Sequence, residues 1–166
     1  MMVATLKKSV YISGALTDMS EAERAELRAF YDDIGNVCKE YGFEPYSPHV
    51  YGDPKNVAHL NPTEIDRIDR LAVTQSYLVV AYVGVPSLGV GIEVELAHHS
   101  DKPVVLLYEN EKFAQRRISR IVRGNPAVIR EIAFSDYADA CKQLRAFLAE
   151  FKKMIRSEPL PPPLRV

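Results

Sequence analysis

Two runs of apolar residues, YLVVAYV at 77–83 and KPVVLLYE at 102–109, constrain the fold of this chain most strongly. Neither run alternates apolar with polar residues, so each predicts a strand that is buried on both faces. A helical pattern precedes each run, PTEIDRIDRLAVTQ at 62–75 and GVGIEVELAHHS at 89–100. Buried strands that alternate with helices are typical of a parallel sheet covered by helices on both sides.

The rest of the chain continues this alternation. Three further strands are predicted from SVYIS (9–13), FEPYSP (43–48) and VIREIAF (128–134). A helix is predicted from Ser20 to Gly42, where Ser20 and Glu23 can form a capping box. A last helix carries the apolar stripe Cys141, Leu144, Leu148, Phe151 and Ile155.

These elements predict one α/β domain over residues 1–156. The domain is doubly wound (Rossmann- or flavodoxin-like), with a five-stranded parallel sheet and helices on both faces. A loop is predicted from about Tyr51 to Leu60, and a proline-rich tail at 157–166.

Composition narrows the classes of partner and compartment. The chain has 166 residues and a formal net charge of −1, so we expect neither a nucleic-acid nor a membrane partner. No apolar run is long enough for a signal peptide or a membrane span, which favours a cytoplasmic location. Cys38 and Cys141 are expected to be reduced and packed. No metal or other cofactor is expected, since no residues cluster with zinc spacing.

The segment PSLGVGIEVELA at 86–97 is the first candidate for a binding site. Ligands of doubly wound domains bind beyond the carboxyl ends of the strands, where this strand-to-helix turn falls. Free backbone N–H groups around Ser87, Gly89 and Gly91, together with the helix dipole, can hold an anion. Alternatively, Ser87 is only a helix cap and the glycines only permit a tight turn.

Four carboxylates in two helical segments are candidates for chemistry. Glu93 and Glu95 lie about 200° apart around a helix, so only one of them can face a cleft. Asp66 and Asp69 share a helix face, where neighbouring negative charges can raise one pKa. Asp66 can instead form an ion pair with Arg70, and either glutamate can be a solvated surface residue.

Tyr11 and His49 are placed at the ends of the first two predicted strands. Each can be a packed core residue or part of a cleft. No serine, histidine and acid order suggests a hydrolytic triad, and GxSxG is absent.

Several segments together resemble the nucleoside 2-deoxyribosyltransferase superfamily. They are VYISGA (10–15), an aspartate two turns before VVAYV, PSLGVGIEVELA, KPVVLLY (102–108) and ISRIVRG (118–124). The resemblance covers roughly residues 9–137 and is strongest to the 2'-deoxynucleoside 5'-phosphate N-hydrolases and related nucleotide N-glycosidases. It implies an enzyme that breaks the bond between a base and a sugar.

The resemblance also implies roles for individual residues. Glu93 matches the family's nucleophile, Asp69 its acid, and Tyr11 the tyrosine that orients the nucleophile. His49 matches a histidine of the cleft. Ser87 and Gly89 match positions that hold the 5'-phosphate. Ser119 matches a serine that reaches the phosphate from the neighbouring subunit, which implies a homodimer with shared active sites.

Two departures from the family pattern concern the phosphate and the base. The loop after the first strand, which lies at the substrate in the family, lacks the family's arginine and reads Gly14, Ala15, Leu16 and Thr17. Arg117, Arg120 or Arg123, close to Ser119, could supply the missing cation. Many members have an aspartate where this chain has Tyr77, which bears on base recognition.

Three functions follow as alternatives. We expect first an N-glycosidase that acts on a nucleoside 5'-monophosphate. The second is a 2-deoxyribosyltransferase that exchanges bases on free nucleosides, and the third is a non-catalytic nucleotide sensor.

Overall fold

The computed structural model of the protein describes residues 8–51 and 59–157. Within them, five parallel strands form one sheet in the order β2-β1-β3-β4-β5. The strands are β1 (Ser9–Ser13), β2 (Glu44–Tyr46), β3 (Leu78–Tyr82), β4 (Val104–Glu109) and β5 (Val128–Phe134). The strand order reverses direction between β1 and β3, which is where ligands bind in doubly wound sheets. The predicted fold class is confirmed.

Helices cover both faces of the sheet. They are α1 (Glu21–Glu40), α2 (Pro48–Tyr51), α3 (Pro62–Gln75), α4 (Leu88–His99), α5 (Asn110–Ala114), α6 (Arg120–Arg123) and α7 (Tyr137–Ser157). Val10 and Ile12 of β1 pack in one core with α1 and α7. Tyr11, which points to the other face, packs in a second core with α3 and α4. None of the described helices is long and apolar enough to span a membrane.

Local signals in the sequence determine where the helices begin. The predicted capping box of α1 is present, with the Ser20 side chain accepting from the N–H of Glu23 at 3.2 Å. A second capping box, which the sequence analysis did not identify, joins Asn61 and Glu64 at the start of α3. Each box satisfies N–H groups that have no partner within the helix.

The structure corrects several local predictions. The strand expected over 43–48 is only three residues long, because the short helix α2 begins at Pro48. His49 therefore lies in α2 rather than at the end of a strand, and Tyr11 lies in the middle of β1, whose bounds are those predicted. The short helices α2, α5 and α6 were not predicted. Residues 52–58 of the expected loop and 158–166 of the expected tail lie outside the described residues.

Tyr77 lies at the edge of the sheet opposite to the carboxyl ends. It precedes β3, its N–H donates to the carbonyl of Ser9 at 2.8 Å, and Lys8 lies over its ring. The expectation that Tyr77 bears on base recognition is therefore wrong, since ligands bind at the other edge. Cys38 and Cys141 are free and buried, as predicted, and burial raises the pKa of the Cys38 thiol to about 12.

Candidate active site

Glu93 lies in the second turn of α4, and its carboxylate is held by two side chains of β1. The hydroxyl of Tyr11 donates to Oε1 at 2.7 Å, and the hydroxyl of Ser13 donates to Oε2. Tyr11 and Ser13 both have no exposed surface. Residues two apart in a strand point to the same face, so both donors reach one carboxylate. The turn after β3 begins α4 beside β1, which brings Glu93 to them.

Burial moves the titration of the Glu93 carboxyl close to neutral pH. It raises the pKa of the Glu93 carboxyl to about 7, although the hydrogen bonds from Ser13 and Tyr11 lower it. The negative charge of Asp69 raises it further. The pKa of Tyr11 is raised by burial and by Glu93, so this phenol stays protonated and donates. Glu93 therefore exists both as acid and as carboxylate near pH 7.

Glu95 faces the other way around α4. It is exposed, accepts a hydrogen bond from Asn125 at 2.7 Å and pairs with His99 at 3.1 Å. Val90 and Val94, on the buried side of α4, pack in the core. Of the two glutamates, the structure thus places Glu93 inside and Glu95 outside.

Asp69 lies half-buried in α3, on the same side of the sheet as Glu93. Burial is the main cause of its raised pKa, and the charge of Asp66 adds to it. Asp66 itself is exposed and bonded to Arg70 at 2.8 Å. Asp66 therefore has the surface ion pair, while Asp69 has the environment of an acid that can hold a proton at higher pH.

Ser87 and two glycines form the turn that starts α4. The Ser87 side chain caps the helix by accepting from the N–H of Val90 at 3.4 Å. A Cβ at Gly89 would meet only the Ser87 hydroxyl, at 3.8 Å, and one at Gly91 would have no neighbour within 4 Å. Neither has a positive φ. Packing within the described residues therefore does not require glycine at either position. Yet each glycine in a helix costs about 1 kcal/mol of stability relative to alanine, so another reason for them is needed.

Ser119 and Ser87 of the same chain line one cavity. Ser119 caps α6, and the cavity, which has a volume of about 310 Å³, is also lined by Gly91 and Val122. Three arginines lie near Ser119 in sequence. Arg123 is bonded to Glu131 at 2.6 Å and Arg117 to Gln115 at 3.3 Å, whereas the exposed Arg120 guanidinium hydrogen-bonds no other described residue.

Residues of α1 hold the loop after β1. Gly14 packs directly on the ring of Tyr31, where any Cβ would overlap, and the Tyr31 hydroxyl donates to the carbonyl of Ala15 at 3.0 Å. The guanidinium of Arg24 donates to the carbonyl of Leu16 at 3.1 Å. Thr17 is exposed. The loop is therefore fixed at the carboxyl edge of the sheet.

His49 packs against α1. Its Nε2 lies 2.9 Å from the carboxylate of Asp32, and its ring centroid lies 5.7 Å from that of Tyr31. Because Tyr31 also holds Ala15, His49 contacts the loop of the site indirectly.

Ser13 is the residue that the sequence analysis missed. It ends an apolar strand, and its only signal is that it lies two residues after Tyr11 and so on the same face. Among residues 8–51 and 59–157, no three His, Cys, Asp or Glu side chains are grouped as metal ligands.

Comparison with known proteins identifies relatives over most of the chain. No protein-family model matches it. A protein of Thermofilum pendens named "Putative 2'-deoxynucleoside 5'-phosphate N-hydrolase 1" is 30% identical over 132 residues, which are 75% of this chain and 91% of that protein. The protein of the same name from Methanosarcina mazei is 30% identical over 141 residues, 83% of this chain and 81% of that protein.

Solved structures share the fold. The CMP N-glycosidase BcmB of Clostridium botulinum superposes with a TM-score of 0.62 at 20% identity, covering 84% of this chain and 99% of its own. A 2-deoxyribosyltransferase of Bacillus psychrosaccharolyticus superposes with a TM-score of 0.56 at 15% identity, covering 84% and 95%.

Proposed function

Because this chain belongs to the nucleoside 2-deoxyribosyltransferase superfamily and, within it, to the family of the 2'-deoxynucleoside 5'-phosphate N-hydrolases, we propose that it hydrolyses the N-glycosidic bond of a nucleoside 5'-monophosphate. The products are the free base and the sugar 5-phosphate. The observation that carries this proposal is the partly buried Glu93 carboxylate, held by the buried side chains of Tyr11 and Ser13. A nucleotide sensor has no need of such a nucleophile.

The reaction proceeds in two steps. In the first, an oxygen of Glu93 bonds to the anomeric carbon as the bond to the base nitrogen breaks, and the departing base takes a proton from Asp69. In the second, Asp69 accepts a proton from water while the water oxygen displaces Glu93 from the sugar. Glu93 leaves as a carboxylate and Asp69 is again protonated, so the enzyme is regenerated.

A substrate panel tests the proposed activity. The protein is incubated with nucleosides and their 5'-monophosphates, with and without a second free base, and the products are separated by chromatography. Free base from monophosphates in water is the expected result. Base exchange on free nucleosides, without hydrolysis, would instead assign the protein as a 2-deoxyribosyltransferase.

The phosphate is proposed to bind at the start of α4. Ser87, the N–H groups at Gly89 and Ser119 provide the donors. The two glycines that packing does not explain leave room for a ligand to approach the backbone. Arg120 is the arginine proposed to replace the one missing from the first loop, because Arg123 and Arg117 already have partners.

We expect the monophosphate to be processed with a higher kcat/KM than its nucleoside. A hydrogen bond to a charged group contributes about 1.5–3 kcal/mol, so each of Ser119→Ala and Arg120→Ala should reduce this preference by roughly 10- to 150-fold at most. Arg117→Ala is the matched control and should leave the preference unchanged. A ratio at or below one in the unmodified protein would contradict phosphate recognition and favour the nucleoside transferase.

A homodimer with shared sites is the proposed assembly. Leu88 and Ile121 are 90% and 86% exposed. Leu88 directly follows Ser87, and Ile121 lies two residues after Ser119. Exposed aliphatic side chains beside a binding site are typical of an interface. Sedimentation at micromolar concentration is expected to give the mass of two chains, and Ile121→Glu to give that of one. A fully active monomer would contradict the shared site.

Mixed dimers test which subunit provides Ser119. If Ser119 reaches the neighbouring site, co-expressed Glu93→Gln and Ser119→Ala chains form one intact site per mixed dimer, and monophosphate turnover should exceed that of either parent dimer. If Ser119 instead binds the phosphate in the site of its own chain, as the cavity lined by Ser87 and Ser119 would permit, mixed dimers should have no intact site and no increase in turnover.

A further inference from the structure

The Ser13 hydroxyl is buried, and the two-step mechanism assigns it no part. Ser13 is the last residue of β1, a strand flanked by β2 and β3 and so inside the sheet. A buried hydroxyl requires a hydrogen-bond partner, and here the acceptor is Oε2 of Glu93.

Each oxygen of the Glu93 carboxylate accepts a hydrogen bond from a different donor. Tyr11 binds Oε1 and Ser13 binds Oε2, and both are anchored on the same strand. The last torsion of a glutamate side chain is soft, so a single donor would leave the carboxylate free to turn. Each carboxylate oxygen can accept more than one hydrogen bond, so a lone pair remains for attack on carbon.

Among residues 8–51 and 59–157, no cation contributes to the pKa of Glu93. Tyr11 from β1, Asp69 from α3 and Tyr31 from α1 interact with it electrostatically, and the charge of Asp69 disfavours ionisation. Within the described residues, the hydroxyls of Ser13 and Tyr11 are the groups that favour the carboxylate form. The loss of either should therefore affect both the charge and the orientation of Glu93.

We propose that Ser13 is a positioning residue of this reaction, which holds the second oxygen of Glu93 so that the carboxylate stays ionised and aimed at the anomeric carbon. The role rests on the proposed function, because it concerns the nucleophile of that reaction. Ser13 itself touches neither the sugar nor the base in this mechanism.

The test compares Ser13→Ala and Ser13→Cys with the unmodified protein between pH 5 and pH 9. Without the hydroxyl, the pKa of Glu93 should rise by about one unit, so kcat/KM at pH 6 falls about tenfold and the deficit shrinks towards pH 9. The ratio of the two profiles cancels the titration of Asp69. A thiol is a weaker hydrogen-bond donor than a hydroxyl, so the pH profile of Ser13→Cys should lie between those of Ser13→Ala and the unmodified protein.

The control is Ser76→Ala. Ser76 is equally buried, but it lies before β3 at the opposite edge of the sheet and donates to the carbonyl of Val73. Its profile should have the same shape as that of the unmodified protein. A deficit in Ser13→Ala that is the same at every pH would indicate a merely structural role and overturn the proposal.

A readout independent of turnover separates this inference from the proposed function. Carbon-13 labelled glutamate carboxyls can be titrated by NMR, with the Glu93 signal identified by its loss in Glu93→Gln. An upward shift of that titration in Ser13→Ala supports the role of Ser13, and an unchanged titration overturns it. If the unmodified protein releases no base from any substrate, the proposed function fails, whereas the titration still reports whether Ser13 holds the charge of Glu93.

Discussion

Replacing Glu93 with glutamine is expected to reduce the release of free base by about 10³-fold or more, which corresponds to about 4 kcal/mol of transition-state stabilisation. An amide cannot form the ester to the sugar that the proposed mechanism requires. The fold and substrate binding should persist, because the hydroxyls of Tyr11 and Ser13 can accept as well as donate and can therefore pair with an amide. Turnover is measured by chromatography of the base, and binding by calorimetry.

Glu95→Gln is the matched control for this variant. Glu95 lies on the same helix, but it is exposed and bonded to Asn125 and His99. Its replacement should change turnover little, because its partners Asn125 and His99 are distinct from Tyr11 and Ser13, the residues that hold Glu93. Equal losses in the two variants would contradict the assignment of Glu93 as the nucleophile.

The pH dependence of stability provides a second readout for Glu93→Gln. The folded-state pKa of Glu93 is raised to about 7, above its ordinary value of 4.5, so folding favours the neutral form. Stability is then lost as pH rises from 4.5 to 7, by an amount on the order of 3 kcal/mol. Glutamine does not ionise. The melting temperature of Glu93→Gln relative to the unmodified protein should therefore rise between pH 5 and pH 8.

The elements that the sequence predicted well have local signals. The predicted bounds of α3 coincide with the observed ones, because Pro62 marks its first residue and the apolar spacing continues along it. The predicted bounds of β5 also coincide with the observed ones. The helices α2, α5 and α6 are four or five residues long, too short for any periodic pattern to develop. Tyr77 was misinterpreted because the comparison with the family pattern outweighed its position directly before β3, which places it at the amino edge of a parallel sheet.

The site was predictable only in part from the residues themselves. Helical spacing shows that Glu93 and Glu95 point apart, but it does not say which one faces inward. The packing of Val90 and Val94 against β3 and β4 decides this. Ser13 could not be assigned, because its partner lies 80 residues further along the chain and no local pattern connects the two. The contacts between side chains of a strand and of a helix distant in sequence are thus the part of the site that only the fold shows.

Asp69→Asn is expected to lower turnover of a natural substrate by about 10²- to 10⁴-fold, the usual contribution of a general acid. Asparagine has nearly the same shape but cannot give a proton to the departing base. Asp66→Asn is the control, because Asp66 is exposed and paired with Arg70, and its loss should change the rate little. Comparable losses in both variants would contradict the acid role of Asp69.

The leaving group distinguishes an acid from a residue that only binds substrate. In a sugar 5-phosphate that carries p-nitrophenol at the anomeric carbon, the leaving group p-nitrophenolate departs without protonation. With this substrate, Asp69→Asn should therefore form the glycosyl ester on Glu93 at nearly the normal rate. The second step still requires a base to activate water, so it should be slow. The variant is therefore expected to release a burst of about one nitrophenolate per site, followed by slow turnover, with the sugar phosphate detectable on Glu93 by mass spectrometry. A uniform loss for both substrates, without a burst, would mean that Asp69 binds the substrate and transfers no proton.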